Sequence, residues 1–408
     1  MQISEIAEKV KNQGGNTYMV GGAVRDKLMK IQPKDYDFCA TGIEQEEFQT
    51  LFPEAKIRGK SFPVFDLNGY QFALARTERK ISDGHKGFKI ESNKKITIEE
   101  DLKRRDVTIN SIAIDVLKDE IIDPFNGTED IKNKILRATS NAFVEDPLRV
   151  YRVAKLAARY EFNVDEQTLK MMQSLREELL TLPNARIYAE LYDALTAKRP
   201  SIFFDVLRRA NCLDIHYKEI YDLIGVEQPL EHHPEGDVHN HTMEVLDRAA
   251  QRTENVLIRF AALTHDFGKA KTPRNEWPHH YQHDKLGDKV VANMCNRLDM
   301  PNNFKKAGMI AAREHMRASM FNQMRPSTKV DFITSNHRNV LGLEGLEIIV
   351  NSDKKRDKDI KFAELGMQMV KEINGKNITN QDNFQKIKEE IRLNRINWIK
   401  EKERENGL

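Results

Sequence analysis

The first third of the chain alternates short apolar stretches with polar turns. An amphipathic segment at 1–12 predicts a helix, and five strand-length apolar segments follow it. These segments are TYMVGG, YDFCAT, FPVFDL, YQFALART and INSIAIDVL. Short apolar runs bounded by turn residues favour β-strands over helices. The pattern therefore predicts a mixed α/β or α+β domain.

One segment inside this domain breaks the alternation. Residues 79–95, RKISDGHKGFKIESNKK, are polar, contain glycine and show weak periodicity. Segments of this kind usually run over the protein surface as loops. The sequence predicts a mobile loop here.

From about residue 124 the helical period takes over and persists. Predicted helices cover 131–137, 146–160, 166–178, 185–197 and 201–210. The Pro/His/Gly-rich segment QPLEHHPEGD then predicts a boundary, because such residues favour turns. We therefore expect an α/β head at 1–137, an all-α body at 138–227, a second all-α domain at 228–352 and a helical tail at 353–408.

Composition narrows the class of protein and leaves the chemistry open. The 408 residues include 65 Lys+Arg and 63 Asp+Glu, for a net charge of +2. A nucleic-acid partner is neither supported nor excluded, because only a local basic patch must neutralise phosphates. No apolar run has the roughly 18 residues of a membrane span, and no signal peptide is evident. Three scattered cysteines predict no disulfide framework, so we expect a cytoplasmic protein without a membrane partner.

A double glycine follows the first predicted strand and opens a predicted helix. Gly21 and Gly22 would let backbone N–H groups approach an anion closely, and the helix N-terminus adds a favourable dipole. Arg25 lies one turn further on, within reach of a triphosphate. Taken alone, such a turn more often has a purely structural role.

An aspartate pair comes next along the chain. Asp35 and Asp37 are separated by one residue, so in a strand both side chains point to the same face. Adjacent carboxylates repel each other unless a divalent cation lies between them. Hard oxygen ligands suit Mg²⁺ and two-metal phosphoryl transfer. A phosphate-binding turn, the positively charged Arg25 and a pair of metal ligands thus fall within one short segment of the chain. This combination predicts Asp35 and Asp37 as catalytic residues.

The segments GGAVRD and KDYDF resemble the polymerase-β-like nucleotidyltransferase superfamily, in its class II tRNA nucleotidyltransferase/poly(A) polymerase branch. The motifs ALARTERK, DLKRRDVTINSIAID, IDPFNGTEDIKNKILR and EDPLRVYRVAKLAARY follow in that family's order, so the resemblance covers about 200 residues. It implies that Gly22, Arg25 and Arg105 bind the nucleotide, with Arg105 contacting phosphate or sugar ahead of the strand VTINSIAI.

The segment EDPLR is where a base could be selected without a template. Asp146 could simply cap the helix predicted to start there, with Pro147 in its first turn. Alternatively, Asp146 accepts from the exocyclic amino group of cytosine or adenine while Arg149 donates to the adjacent ring nitrogen. Uracil and guanine would leave these polar groups unpaired, at about 1–3 kcal/mol each. A preference for C and A would follow.

Further basic residues recur on one side of the same predicted helix. Arg152 and Lys155 continue the spacing of Arg149, while Val150 and Val153 lie on the apolar side. The resemblance implies nucleotide binding for both basic residues. Lys155 departs from the usual arginine and lacks its planar fork, so we expect it to contact phosphate or tRNA.

Histidines and aspartates in the second half resemble an HD-domain phosphohydrolase, found at the C-terminus of one group of bacterial CCA-adding enzymes. The segments HTM, HDFGK and WPHHYQHD carry the resemblance. It implies a metal site, with a transition metal such as Ni²⁺ or Mn²⁺ favoured by imidazole. The implied ligands are His241, His265, Asp266 and Asp353, with His283 and His315 near the substrate phosphate. Met316 stands where related enzymes carry Asp, which puts the hydrolase in doubt.

The resemblance as a whole implies addition of CCA to the 3′ end of tRNA from CTP and ATP, with Mg²⁺ as cofactor. The helical body would bind the acceptor arm, in a monomer or homodimer. A poly(A) polymerase is one alternative, opposed by the HD domain and the lack of a long basic tail. A CC-only enzyme is opposed by the intact segment 79–95. An HD phosphohydrolase with a tRNA-binding head is opposed by Asp35 and Asp37.

Overall fold

The computed structural model describes residues 1–59, 63–80, 88–91, 93–231, 233–354, 358–374 and 384–405. Their contacts divide the chain into two compact units. The first unit contains Met1–Glu190 and Ile202–Ile215, and the second contains Leu191–Ser201 and His216–Leu408. The finer division into head, body, HD domain and tail stays a prediction.

A mixed seven-stranded sheet forms the head of the first unit, in the order β3-β4-β5-β2-β1-β8-β9. The described strands of the chain are β1 Asn16–Val20, β2 Asp37–Thr41, β3 Lys56–Arg58, β4 Val64–Leu67, β5 Tyr70–Leu74, β6 Thr77–Lys80, β7 Phe88–Glu91, β8 Ala113–Asp115, β9 Ile121–Ile122, β10 Ile135–Leu136 and β11 Asn163–Val164. Four of them lie outside this sheet, in two separate two-stranded sheets, β6 with β7 and β10 with β11. β2 and β5 run parallel, and the other neighbours in the sheet are antiparallel. The predicted α/β head followed by helices is confirmed.

Helices make up most of the remaining chain. They are α1 Ile3–Asn12, α2 Gly22–Leu28, α3 Gln45–Leu51, α4 Ile98–Lys103, α5 Gly127–Asn133, α6 Arg149–Tyr160, α7 Glu166–Ser174, α8 Asn184–Leu195, α9 Ser201–Arg209, α10 Leu213–His216, α11 Lys218–Tyr221, α12 Val238–Arg252, α13 Val256–Thr264, α14 His283–Arg297, α15 Asn302–Ser319, α16 Pro326–Asn336, α17 Gly342–Asp353, α18 Ala363–Glu372 and α19 Phe384–Glu405. Every helix within the described ranges is too short or too polar to span a lipid bilayer.

Strand β2 is buried on both faces, which holds it rigidly at the centre of the sheet. Phe38 and Ala40 pack with Phe48 of α3 on one face, while Cys39 packs with Tyr18 on the other. Successive side chains of a strand point to opposite faces, so an apolar run is what a covered strand requires. The first residue of this rigid strand is Asp37.

Two predicted elements differ from the sequence-based prediction: one strand is shorter, and one helix of the same length lies four residues earlier. INSIAIDVL was predicted as one strand, but Thr108–Asn110 is a 3₁₀ helix and only Ala113–Asp115 is a strand. The Ser111 hydroxyl donates to Val107 O, a local bond that competes with a ladder. The helix predicted over 131–137 ends at Asn133, because the next residue is left-handed and the chain then pairs as β10 with β11.

The prediction of a loop over residues 79–95 is wrong for residues 79–80 and 88–91. These residues belong to β6 and β7, which pair antiparallel as a two-stranded sheet. Residues 81–87 and residue 92 of the predicted loop lie outside the described residues. Part of this segment therefore has regular structure.

Helices α12, α13 and α15 to α19 of the second unit pack around one apolar core. The predicted charged tail contributes Phe362, Met369, Ile396 and Ile399 to this core. A charged helix buries a few apolar positions on one side, because only one stripe of a surface helix faces the core. The tail therefore packs as part of the second unit.

Candidate functional site

The glycine turn and the aspartate strand meet at one edge of the sheet. Val20, the last residue of β1, pairs with Asp37, the first residue of β2. Gly21 follows directly and adopts φ 69°, a conformation that side chains disfavour. A Cβ at Gly21 would lie 3.0 Å from Arg105 Nη1. The turn therefore places its backbone against the side chain of Arg105 and beside Asp37.

The aspartate pair differs in one respect from the prediction. β2 begins at Asp37, so Asp35 precedes the strand and the two do not alternate within it. Both side chains are exposed at the sheet edge. Partial desolvation raises the pKa of Asp37, Arg105 acts in the opposite direction, and the charge of Asp35 raises it further. The two carboxylates therefore repel each other, as a cation site requires.

A cavity of about 450 Å³ opens beside Asp37. Its described lining consists of Gly21, Gly22, Asp37, Arg76, Arg104, Arg105, Asp106, Asn110, Asp146, Leu148, Arg149, Arg152 and Arg186. Six arginines against three aspartates make the lining cationic, which suits an anionic ligand. The volume lies in the range of small-ligand sites, about 300–1,000 Å³. The cavity thus brings together the glycine turn, one metal-ligand candidate and the base-reading pair.

Asp101, a buried residue of α4, orients two of these arginines. Its Oδ1 accepts from Arg104 Nη2 at 2.7 Å and its Oδ2 from Arg105 Nη2 at 3.1 Å. Burial raises the pKa of Asp101, but the two guanidinium groups more than offset this and hold the pKa below its usual value. Arg105 Nε is buried and has no hydrogen-bond partner among the described residues.

Asp146 and Arg149 both line the cavity, as the base-reading hypothesis requires. Asp146 Oδ1 accepts from Leu148 N at 3.0 Å, a local turn bond ahead of the helix. The N-cap residue of α6 is Leu148, and the helix has no side-chain cap, so the prediction of Asp146 as N-cap is wrong. Helix α6 begins at Arg149, three residues later than predicted, after a turn of 3₁₀-type bonds. Arg149 Nη1 donates to Ala142 O at 2.5 Å. A backbone anchor therefore fixes the guanidinium at the cavity wall.

Arg152 also lines the cavity, where it pairs with Asp106 at 2.7 Å. Burial raises the pKa of Asp106, but Arg152 and Asn110 outweigh it and leave the pKa well below its usual value. The resemblance had implied nucleotide binding for the segment RRD, which includes Asp106, but sequence reasoning missed Asn110 as a cavity residue. The position of Asn110 in RRDVTIN, four residues after Asp106, was the available signal.

Arg25 and Lys155 do not line the cavity. Arg25 is buried and bound to Asp26 at 2.8 Å, and a Cβ at Gly22 would lie 3.2 Å from its Nη2. It therefore supports the glycine turn from behind. Lys155 Nζ pairs with Glu190 at 2.6 Å and is largely buried. Because neither side chain lines the cavity, neither is placed to contact a phosphate bound there.

The second unit gathers the HD residues from five elements. His241 lies on α12, His265 and Asp266 directly follow α13, His283 begins α14, His315 lies on α15 and Asp353 ends α17. All six side chains are buried. Gly268 allows this approach, because a Cβ there would lie only 1.9 Å from His283 O. Asp353, which was included only on approximate sequence spacing, belongs to the cluster.

The carboxylate of Asp266 lies between two groups of possible ligands. Its Oδ2 is 3.6 Å from His241 Nε2 and 3.3 Å from His265 Nε2. Its Oδ1 is 3.4 Å from His283 Nε2 and 3.5 Å from His315 Nε2. Asp353 Oδ1 joins the first group, 3.0 Å from His241 Nε2. Three groups of three described residues could each hold a metal ion, and two of them meet here: His241/His265/Asp353 and Asp266/His283/His315.

The hydrogen bonds of the imidazole rings are those expected of metal-binding histidines. His265, His283 and His315 each direct Nδ1 to a backbone carbonyl oxygen, which fixes that nitrogen as the donor. Their Nε2 atoms then carry lone pairs toward the cluster, and those of His283 and His315 are 3.2 Å apart. Two such lone pairs repel each other unless a proton or a metal ion lies between them. Metal-bound histidines usually show such an anchored second nitrogen.

Buried atoms at the cluster centre support the same assignment. His241 Nε2, His265 Nε2 and Asp266 Oδ1 have no hydrogen-bond partner among the described residues. Buried polar atoms normally have partners, so such a group requires an explanation. Burial lowers the pKa of His265, but Asp266 and Asp353 raise it to about 10. The cluster favours a positive charge at its centre.

Two further residues at this cluster were not predicted. Glu235 Oε1 accepts from His241 Nδ1 at 2.5 Å and orients that ring. Lys269, from the HDFGK segment, is buried and pairs with Asp266 Oδ2 at 2.7 Å. The spacing of HDFGK was the available signal for Lys269, whereas Glu235 lies in a turn without a recognisable motif.

Met316, which raised doubt about the hydrolase, lies on the surface. Its side chain is 44% exposed, while that of the preceding His315 is buried in the cluster. Consecutive helix positions point in directions about 100° apart, so only one of the two can face the cluster. Met316 is therefore separate from the candidate ligands.

Comparisons with known families match three regions of the chain. A poly A polymerase head domain model matches residues 17–137, a model described as a probable RNA and SrmB-binding site of polymerase A matches 161–223, and an HD domain model matches 238–336. The HD match ends before Asp353. The head model matches the region that contains the glycine turn and Asp37, and the HD model matches the region that contains the histidines of the second site.

Curated relatives match across most of the chain. A multifunctional CCA protein of Shewanella frigidimarina is 42% identical over 320 residues, which is 77% of each chain. A protein of the same name from Aliivibrio salmonicida is 42% identical over 318 residues, covering 76% of this chain and 77% of the relative.

Solved structures show the same fold. A CCA-adding enzyme in complex with CTP aligns with a TM-score of 0.64 at 19% identity, over 96% of this chain and 89% of the other. The CCA-adding enzyme of Bacillus stearothermophilus with CTP aligns with a TM-score of 0.59 at 21% identity, over 85% and 76%.

Proposed function

The chain belongs to the family of multifunctional CCA proteins, as its motifs predicted, and we propose that it adds C, C and A to the 3′ end of tRNA from CTP and ATP with release of pyrophosphate. One observation carries the proposal: a single cationic cavity contains the glycine turn, Asp37 and the Asp146/Arg149 pair. The triphosphate, the reaction centre and the base can all be bound there.

The head supplies the groups for nucleotidyl transfer. We propose that Asp35 and Asp37 hold Mg²⁺ and that Gly22 and Arg105 contact the triphosphate. Bound magnesium supplies activation of the tRNA 3′-hydroxyl and stabilisation of the leaving pyrophosphate. Arg25 acts indirectly in this proposal, because it supports the turn at Gly22.

The body supplies base selection and tRNA binding. Asp146 accepts from the amino group of C or A, Arg149 donates to the ring nitrogen, and Arg152 lies beside them at the cavity wall. Lys155 is neutralised by Glu190, so we assign it no base contact. The helical body is proposed to bind the tRNA acceptor arm, and cytoplasmic tRNA would be the substrate.

The second unit is proposed to hydrolyse phosphate esters such as 2′,3′-cyclic phosphates, acting as a phosphodiesterase, 2′-nucleotidase or phosphatase. We propose that His241, His265, Asp353 and Asp266 hold one transition-metal ion, Ni²⁺ or Mn²⁺, and that Asp266, His283 and His315 hold a second. Bound metal supplies Lewis-acid activation of water and of the phosphate ester. Glu235 and the backbone carbonyls keep the rings oriented.

The test uses tRNA transcripts that lack CCA, purified protein and Mg²⁺, with each NTP supplied singly and then together. The proposal predicts two additions with CTP alone and a third when ATP is present. Asp37→Ala should abolish incorporation and leave 2′,3′-cyclic phosphate hydrolysis unchanged, whereas His265→Ala should do the opposite. Addition of A without limit would indicate a poly(A) polymerase, and hydrolysis without any incorporation would indicate a phosphohydrolase.

A further inference from the structure

Six side chains of the first unit form a chain of hydrogen bonds and ion pairs that starts on helix α6, passes through the head and returns to α6, so that the helix itself closes a ring. We call this set the buried ring after its four buried members, Arg25, Asp26, Asp106 and Asn110; the two members on α6, Arg152 and Tyr160, are partly exposed. Arg152 and Tyr160 belong to α6, and the other four belong to the head segments 22–28 and 106–110. The ring therefore attaches one helix to the head at two points.

The first attachment lies in the wall of the nucleotide cavity. Arg152 Nε donates to Asp106 Oδ2 at 2.8 Å, and Asn110 Nδ2 donates to Asp106 Oδ1 at 3.0 Å. Asn110 Oδ1 in turn accepts from Arg25 Nη1 at 2.6 Å. Asp106, Asn110 and Arg152 all line the cavity. A bound nucleotide would therefore touch this side of the ring.

The second attachment lies behind the cavity. Asp26 Oδ1 accepts from Arg25 Nε at 2.9 Å and from the Tyr160 hydroxyl at 2.9 Å. The guanidinium of Arg25 also lies over the Tyr160 ring, 4.7 Å from its centre. Burial raises the pKa of Tyr160 to about 12, so the hydroxyl keeps its proton and acts as the donor.

The two attachment points control the orientation of α6. Arg152 and Tyr160 are eight residues apart, which corresponds to about 12 Å along a helix. A helix held at two such points can neither slide nor tilt, and its first residue is Arg149. The base-reading guanidinium is therefore positioned from the far side of the head.

Asn110 is the neutral link in the ring. Its amide accepts from one charged partner and donates to another, which neither a carboxylate nor an apolar side chain can do. The sequence around the ring is cation, anion, amide, cation, anion and hydroxyl. Every hydrogen bond among these groups involves at least one charged group, which makes each bond stronger than a neutral one.

We propose that Asn110 and Tyr160 are positioning residues for base selection, because the buried ring holds α6 where Asp146 and Arg149 meet the edge of C or A. The inference rests on the proposed nucleotidyl transfer and adds the residues that set its selectivity. Asn110→Asp places a second carboxylate beside Asp106 and removes the donor between them. Tyr160→Phe removes a single hydroxyl from the second attachment.

The experiment measures kcat and KM for CTP and for UTP on a tRNA transcript lacking CCA. We expect the CTP-over-UTP ratio of kcat/KM to fall about 10-fold in Asn110→Asp and about threefold in Tyr160→Phe, in the range typical of couplings between packed residues. The KM for CTP should rise more than kcat falls, because the transfer residues at the sheet edge are unchanged.

Thr108→Val is the matched control. Thr108 lies in the same 3₁₀ helix as Asn110 and is equally buried, but its hydroxyl donates to Asp130 at 2.7 Å, away from the cavity. It should lower the melting temperature by a similar amount and change the CTP-over-UTP ratio less than twofold. A purely structural role of Asn110 would make the two variants alike.

An unchanged ratio in Tyr160→Phe, or an equal loss in Thr108→Val, would overturn the inference while wild-type CCA addition kept the proposed function intact. If Asn110→Asp does not fold, Tyr160→Phe decides alone. A wild-type protein that incorporates no nucleotide would overturn both.

Discussion

Asp101 and Arg105 are joined by a hydrogen bond of 3.1 Å between a buried carboxylate and a guanidinium that reaches the glycine turn. The second oxygen of Asp101 binds Arg104. One carboxylate that does not line the cavity thus orients two arginines that do.

Asp101→Asn should raise the KM for CTP and for ATP alike by about 10-fold, since about 1–3 kcal/mol is expected for losing a charged hydrogen-bond partner. Steady-state kinetics with each nucleotide measure this. Glu99→Gln, an exposed change on the same helix, is the control and should have no effect. Unchanged KM values in Asp101→Asn would show that the arginines hold their positions without it.

Asp146→Asn should relax base selection and leave stability unaltered. The amide keeps the acceptor that binds Leu148 N but gains a donor suited to the carbonyl of uracil. Discrimination against UTP should fall by about 10–100-fold, equivalent to about 1–3 kcal/mol for one mispaired polar group. Incorporation of UTP and CTP in competition measures it, and undiminished preference for CTP would refute the base-reading role of Asp146.

The second unit should bind two Mn²⁺ ions per chain, because Asp266 presents one oxygen to each of two ligand groups. Elemental analysis after metal loading, in an Asp37→Ala background that removes the head site, counts them. His315→Ala should leave one ion and Asp266→Ala none.

The control for metal binding is Met316→Ala, which changes the exposed neighbour of His315 and should retain both ions. One ion per chain in the protein that retains His315 would contradict an arrangement in which Asp266 serves both ligand groups. Hydrolysis of a 2′,3′-cyclic phosphate should follow the same order of variants.

Acid should destabilise the second unit through His216. Burial, with a smaller effect from Arg297, lowers the pKa of His216 from 6.5 to about 4. The unfolded chain therefore takes up this proton near pH 6.5 and the folded protein only near pH 4. The contribution to stability is full above pH 6.5 and is lost as the pH falls toward 4, by about 3 kcal/mol.

Urea unfolding between pH 7 and pH 4 measures this loss. His216→Gln should flatten the decline, whereas the change of an exposed histidine, His279→Gln, should leave it as it is. Parallel declines in all three proteins would show that His216 does not carry the effect.

Sequence patterns predicted the order of elements, and most of the residues proposed for the two sites lie together in the structure. They placed residues correctly where local spacing decides, as for the glycine turn and for Asp146 with Arg149, which line one cavity; the roles of these residues stay predictions. They did less well where tertiary partners decide: Arg25 is taken by Asp26 and Asn110, and Lys155 by Glu190. The pairings of Arg25 with Asn110 and of Lys155 with Glu190 join residues far apart in sequence, and no local period records them.

The pairing of Asp106 with Arg152, 46 residues further along the chain, is of the same kind. Glu235 and Lys269 contact His241 and Asp266 from only six and three residues away, but these polar contacts leave no trace in a hydrophobic period either. The strand predicted across 109–117 is reduced to Ala113–Asp115, where a side-chain hydrogen bond of Ser111 favours a turn before it. Hydrophobic periodicity does not report these bonds.

The most direct test of the central claim is the sequence of the product ends. A tRNA transcript lacking CCA is incubated with the protein, Mg²⁺ and all four NTPs at equal concentration, and the 3′ ends are sequenced. The account predicts ends that read CCA and stop there, with U and G rare at every added position. Homopolymeric A tails, mixed bases or unextended ends would contradict it.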